Sequence, residues 1–222
     1  MLIDDVPGSN AIEIIANELG FPPYDFDTLD FRPGDVVLDL GAHVGAISIY
    51  LAKRYPELRI IAVEPTPPIF ACLERNLSRN KVENVEALNV AVTGDGREVH
   101  VITNLKKNSG GSTVQVPLVA APWLEHFAVP SLTLDDFFER FSIDRCKLLK
   151  IDIEGSEHEV LGATTVLARV DNIRGEFHEN RYLIDQGKTI DNLLEHCARF
   201  VPRERIQVTR CHMWEGDLLT SQ

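Results

Sequence analysis

Five short stretches of this 222-residue chain carry the side chains best suited to chemistry. The first is Asp39-Leu40-Gly41-Ala42-His43-Val44-Gly45, whose two glycines let a strand-to-helix turn approach a ligand without Cβ obstruction. A dinucleotide fingerprint, G-x-G-x-x-G, uses its middle glycine to make room for a pyrophosphate. Here that position is His43, and its ring disfavours a diphosphate cradle. Asp39, two residues before the first glycine, suits a ligand with a cationic group. S-adenosylmethionine has that character, with an α-ammonium, a carboxylate and no phosphate. The second stretch ends at Glu64, where a carboxylate can accept both hydroxyls of a ribose. The others are Asn89 to Thr93, Asp152-Ile153-Glu154-Gly155 and Glu176-Phe177-His178, so four of the five carry a carboxylate.

The elements that must position these residues alternate along the chain. Val36 to Leu40, Ile60 to Val63, Val85 to Val92, Leu148 to Ile153, Ile173 to His178 and Ile206 to Cys211 read as strands. Their near-continuous apolar runs fit a parallel sheet buried on both faces. Between them, Ile47, Tyr50, Leu51 and Tyr55, then Ile69, Cys72, Leu73 and Leu77, mark helix faces. So do Leu134, Phe137, Phe138 and Phe141 behind Thr133 and Asp136, and Ile190, Leu193, Leu194 and Cys197. Ser156 and Glu159 form a capping-box pattern opening a helix through Val160, Leu161, Thr164 and Leu167. Strands joined through helices imply right-handed crossovers. The expectation is one α/β domain over 34–222, with a doubly wound, mostly parallel sheet. Residues 1–33 read as a short N-terminal appendage, a helix over Asn10 to Leu19 and then a connector. In such a sheet ligands bind beyond the carboxyl ends of the strands, where all five stretches fall.

Residues 94–131 interrupt the alternation. Arg97 to Thr103 reads as an added strand, Asn104 to Thr113 as a polar loop containing Gly110-Gly111, and Val114 to Val119 as another strand. The loop is a candidate flap in which Ser109 or Ser112 touches substrate or cofactor, although Gly-Gly also suits a plain hairpin turn. Trp123, His126 and Phe127 are candidates for a wall or for core.

Composition excludes other classes. A chain 44% hydrophobic and 25% charged has ample core material. Its net charge of −12 opposes a nucleic-acid partner, since phosphate affinity comes from Lys and Arg. The longest apolar run, Val116 to Leu124, is broken by two prolines and falls short of the roughly 20 residues of a membrane span. The acidic start and the scattered Cys72, Cys146, Cys197 and Cys211 suggest a cytoplasmic protein with reduced thiols.

Five blocks together resemble the FkbM-type methyltransferases. They are Val37 to Gly45, Val63-Glu64-Pro65, Asn89-Val90-Ala91-Val92, Leu132 to Phe137 and Leu149-Lys150-Ile151-Asp152-Ile153-Glu154-Gly155-Ser156-Glu157. The last, K-I-D-x-E-G-x-E, is the most specific, and the resemblance spans about residues 34–180. It implies a class I, Rossmann-like methyltransferase using S-adenosylmethionine, commonly on a hydroxyl of a small molecule or sugar. By the match, Asp39, Gly41, Ala42, His43, Gly45, Glu64, Asn89 and Ala91 fall at cofactor-binding positions. Family members often have Asn where this chain has His43.

Methyl transfer asks the protein to align a nucleophile behind the methyl group and, for an alcohol, to supply a base. The candidates are Asp152, Glu154 and His178, with Glu176 on the same strand face as His178. Glu157, at the same junction, reads first as a helix-dipole partner. Ser109, Ser112, Glu176 and Arg181 are the substrate-side candidates. Asp152, Glu154, His158, Glu176 and His178 also form a possible metal set, but their spacing is not a dedicated ligand motif, and no metal is expected. The acceptor is expected to be a small molecule, with neither nucleic acid nor membrane as partner. A nicotinamide oxidoreductase and a non-catalytic binding module are the alternatives.

Overall fold

The computed structural model describes residues 1–7, 9, 15–17, 19–105, 108–114 and 123–212. Six strands form the central sheet: Val36–Leu40 (β1), Arg59–Val63 (β2), Val85–Leu88 (β3), Cys146–Ile151 (β9), Ile173–Glu179 (β10) and Ile206–His212 (β11). Their order is β3-β2-β1-β9-β10-β11, and every adjacent pair is parallel. Strand order reverses between β1 and β9, so the carboxyl ends of these two strands flank the topological switch point.

Alternation along β1 explains the two buried faces. Val36, Leu38 and Leu40 join one core with Phe137, Val160, Leu161 and Leu193. These come from the helices Leu134–Arg140 (α3), Glu157–Ala163 (α4) and Ile190–Cys197 (α6). Val37 points the other way, to Ile47 and Leu51 of Ala46–Arg54 (α1). Pro67–Asn80 (α2) packs on that side through Leu73 and Leu77. The sheet is therefore doubly wound. No helix among the described residues is long and apolar enough to cross a membrane.

The N-terminal segment packs onto the sheet rather than beside it. Tyr24, Phe26 and Leu29 are buried against Val37, Ile60 and Leu148. Asn76 and Asn80, one turn apart on α2, accept from the backbone N–H groups of Asp4 and Leu2. Of the helix expected over 10–19, the described part is a helical turn at residues 15–17.

Four expectations need correction. The strand expected over 85–92 is split: Ala91–Val92 (β4) leaves the main sheet and pairs with Ser131–Leu132 (β8). Asn89 makes the break, donating its side-chain amide to the Glu64 and Pro65 carbonyls. The loop expected over 104–113 contains a strand, Asn108–Thr113 (β6), antiparallel to Val99–Asn104 (β5). Glu125–Val129 (β7) flanks β5 on its other side and tucks Val129 and Phe127 against Val99 and Val101. The strand expected over 114–119 falls, beyond Val114, outside the described residues. Finally, α4 ends at Ala163, because Thr164 and Thr165 turn to donate their hydroxyls to Asp135. Ser156 makes no cap hydrogen bond there; Glu157 instead accepts from the N–H groups of Ile153 and Gly155. Arg181–Asp185 (α5) is a short helix capped by Asn180.

Candidate active site

The glycine turn follows β1 and is closed by backbone hydrogen bonds to β2. Gly41 and Ala42 N–H both donate to the Val63 carbonyl, at 3.0 and 2.9 Å. Gly41 takes φ 75°, and a Cβ there would lie 1.8 Å from the Asp152 carbonyl oxygen, so β1 and β9 meet only because this residue is glycine. Gly45 takes φ 85°, with Leu73 in the way of any Cβ. His43 is also left-handed, at φ 51°. Asn and His are both enriched in that conformation, which gives a backbone reason for either residue here.

Glu64, 4% exposed, is tied into the turn. Its Oε2 accepts from His43 N–H at 3.1 Å and its Oε1 from Thr66 N–H at 2.8 Å. Burial pushes its carboxyl up to about 7, against the pull of those N–H groups and of Lys150. Burial likewise drives His43 down to about 4, despite nearby Asp5, so its ring is neutral at pH 7.

Asp39, expected to face a cationic ligand, is not among the residues that line the cavity described below. It is fully buried, accepts from the Ser48 hydroxyl at 2.5 Å, and pairs with Lys150 Nζ at 3.3 Å. Lys150, 3% exposed, in turn donates to the Gly41 carbonyl at 2.6 Å and lies 3.9 Å from Asp152. Burial opposes its charge, but Asp39 and Asp152 outweigh burial and hold its pKa above the usual value. Asp39 thus acts inward, fixing the lysine that braces the turn. Lys150 stands inside a run of buried apolar residues, and a charge in that position has to be paired. That was the available signal for a residue the motif reading did not single out.

The ends of β9 and β10 bring together the other candidates. His178 Nδ1 hydrogen-bonds Glu157 Oε1 at 3.0 Å, and Glu157 is fully buried. His178 Nε2 faces Glu176, Glu154 and Asp152 at 3.6, 3.7 and 4.0 Å. Burial opposes protonation of His178, but Glu157 and the other carboxylates raise its pKa well above the usual value. Burial, with like charge around it, pushes Asp152 up to about 6 and Glu154 up to about 8. Cys211 Sγ donates to Glu176 Oε2 at 3.0 Å, and Tyr24 reaches Glu176 Oε1 at 3.4 Å.

A cavity of about 250 Å³ joins the two regions. Gly41, Ala42, His43, Glu64 and Ala91 line one part, and Asp152, Glu154, Glu176 and Ser112 another. Ser112 donates to Thr103, and Thr113 donates to the Glu154 carbonyl at 2.7 Å, so β6 is tied down over the cavity. Tyr24 also lines it, and nothing in its sequence context marked it. Gly45, Asn89 and His178 stand behind the lining. Arg181 does not approach it: its side chain is largely exposed and pairs with Asp185 at 2.9 Å. The Ser109 side chain lies outside the described residues.

Residues 39–200, from the buried Asp39 to beyond the last helix, match the family model of the methyltransferase FkbM domain. The chain belongs to the FkbM methyltransferase family. Among FkbM-related proteins, "Methyltransferase 1" of Beauveria bassiana is 26% identical over 166 residues, covering 68% of this chain and 66% of that protein. The antimetabolite synthetase AmbE of Pseudomonas aeruginosa is 28% identical over 203 residues, covering 76% of this chain and 9% of that protein. The chain therefore spans less than two thirds of the length of these two relatives. The 31-O-demethyl-FK506 methyltransferase FkbM of Streptomyces tacrolimicus is 26% identical over 177 residues, covering 68% of each chain. Among solved structures, a precorrin-6y C5,15-methyltransferase from Geobacter metallireducens aligns with this FkbM-family chain at TM-score 0.47 and 14% identity, covering 88% of this chain and 77% of that one.

Proposed function

We propose that residues 34–222 form an S-adenosylmethionine-dependent methyltransferase domain acting on a hydroxyl of a small molecule. The observation that carries the reading is Glu64, a buried carboxylate at the cavity wall beside a turn that a Cβ would block. Each Glu64 oxygen accepts one backbone N–H and keeps a second lone pair for a ribose hydroxyl. Val90, Ala91 and Val92 offer an apolar wall suited to adenine. His43 fills the space a pyrophosphate would need, which disfavours a nicotinamide cofactor, as does the family. One relative is named for a 31-O-demethyl substrate, which favours oxygen as the acceptor atom. The net charge of −12 favours a small acceptor over nucleic acid.

The bound cofactor supplies a methyl group already activated by its sulfonium. The chain's part is to place the acceptor and take its proton. Asp152, Glu154 and Glu176 face the cavity, where they would receive the hydroxyl and take the proton it gives up on methylation. His178, backed by Glu157, is held as a cation and orients the carboxylates, in place of the base role its sequence position suggests. Calorimetric titration of the cofactor-stripped chain with S-adenosylhomocysteine, with NADH as control, tests the reading. Binding of the first alone supports it; binding of NADH alone, or of neither, overturns it.

A further inference from the structure

The cluster at the ends of β9 and β10 has a surplus of negative charge that proton transfer alone does not require. Asp152, Glu154, Glu157 and Glu176 surround a single imidazole, and like charges at this range are costly in a buried setting. Within the cluster, one ligand atom each from Asp152, Glu154 and His178 lie within 4.8 Å of one another, and the same holds for Glu176, His178 and Cys211.

The histidine adds an observation that acidity alone does not. Its side chain is 4% exposed, and its Nδ1 is committed to the fully buried Glu157. A carboxylate behind one ring nitrogen is the arrangement that fixes the tautomer of a metal-binding histidine and turns the other nitrogen toward the ion. Nε2 is turned into the cluster, where the Cys211 thiol is its side-chain hydrogen-bond neighbour, and the three carboxylate oxygens it faces stand at 3.6–4.0 Å, outside hydrogen-bond distance. Such gaps are of the size that separates neighbouring ligands of one shared cation. All three of these carboxylates, on Asp152, Glu154 and Glu176, line the cavity.

We infer that Asp152, Glu154 and His178 Nε2 form a site for one divalent cation, which takes the place of the proton that Nε2 holds in the cation-free chain, with Glu157 as its supporting carboxylate and the cavity side open to an oxygen of the acceptor. Carboxylate oxygens with one imidazole suit Mn²⁺ or a similar ion. The inference rests on the methyl-transfer reading for its purpose. A cation there would hold the acceptor hydroxyl and favour its deprotonation. Glu176, outside this ligand set, then takes the hydroxyl's proton as the methyl group passes from sulfur to oxygen.

The test uses Mn²⁺ alone, titrated by calorimetry and electron paramagnetic resonance into the chelator-treated full chain, in parallel with S-adenosylhomocysteine. The expected result is one Mn²⁺ per chain. Glu154→Gln and His178→Ala should abolish that binding, and Glu157→Gln should weaken it about 10–100-fold. Asp191→Asn, an exposed carboxylate elsewhere, should leave it unchanged. Circular dichroism separates loss of binding from loss of fold, and Glu154→Gln, at the cavity wall, carries the test if His178→Ala does not fold. No stoichiometric binding, or binding that survives Glu154→Gln, overturns the site. A chain that binds S-adenosylhomocysteine but not Mn²⁺ would defeat the cation site and leave the cofactor reading standing; a chain that binds Mn²⁺ but not S-adenosylhomocysteine would do the reverse.

Discussion

At the β1–β2 end of the cavity, Glu64 has both oxygens engaged by backbone N–H groups, and the turn around it is closed by hydrogen bonds to β2. At the β9–β10 end, Asp152, Glu154 and Glu176 crowd one histidine without any of the three reaching hydrogen-bond distance of its Nε2. The first region holds its carboxylate by backbone N–H groups within a closed turn. The second keeps unresolved charge facing a cavity. That contrast separates recognition from chemistry: a carboxylate held by backbone N–H groups fixes geometry, whereas several carboxylates crowded round one histidine in a cleft are where proton handling or ion binding is found.

The comparison is broken most severely at Gly41, where the two regions meet. Gly41→Ala places a Cβ against the Asp152 carbonyl in a left-handed backbone. It should cost about 2–6 kcal/mol in urea denaturation, combining strain and overpacking. A loss under about 0.5 kcal/mol would show that the two strand ends are not locked together. Next, Asp152→Asn should lower turnover with a hydroxylated acceptor by about 10²–10⁴-fold. Its affinity for S-adenosylhomocysteine should hardly change. On the other side, Glu64→Ala should weaken that affinity by about 1.5–3 kcal/mol, the range for hydrogen bonds to a charged group.

Proton linkage gives a smaller effect with a defined sign. Glu64 is raised from 4.5 to about 7 in the folded chain, so the folded state binds the proton more tightly than the unfolded one. Its contribution to stability is then fully present below pH 4.5 and is lost as pH rises toward 7. Denaturation of the cofactor-free chain, compared with Glu64→Gln across that window, should show the wild-type curve falling relative to the variant. Parallel curves would contradict the burial argument. The smallest effect belongs to Arg181→Ala, whose exposed pair with Asp185 should be worth less than about 0.5 kcal/mol, with no change in ligand affinity.

Much of the framework was legible because buried parallel strands write themselves as apolar runs: Val36 to Leu40 and Ile60 to Val63 need no context to be read. The glycine turn and the carboxylates at strand ends were legible for the same reason, since the fold class says where strand ends lead. What escaped depended on partners far away in sequence. Apart from Thr113, β6 is made of Asn, Ser and Gly, residues with little strand preference, and it pairs along the antiparallel edge that β5 offers. Asn89 ends β3 through carbonyls at residues 64 and 65. Asp39 looked like a ligand contact because its position suited one, yet Lys150 and Ser48 claim it. Tyr24 reaches Glu176 across 152 residues, a contact no local pattern encodes.

The division between recognition and chemistry is tested most directly by titrating S-adenosylhomocysteine into Glu64→Ala and Asp152→Asn side by side with the unaltered chain. The account predicts that the first variant binds more weakly by about 1.5–3 kcal/mol while the second binds as the unaltered chain does. Equal losses in the two variants, or a loss confined to Asp152→Asn, would contradict it.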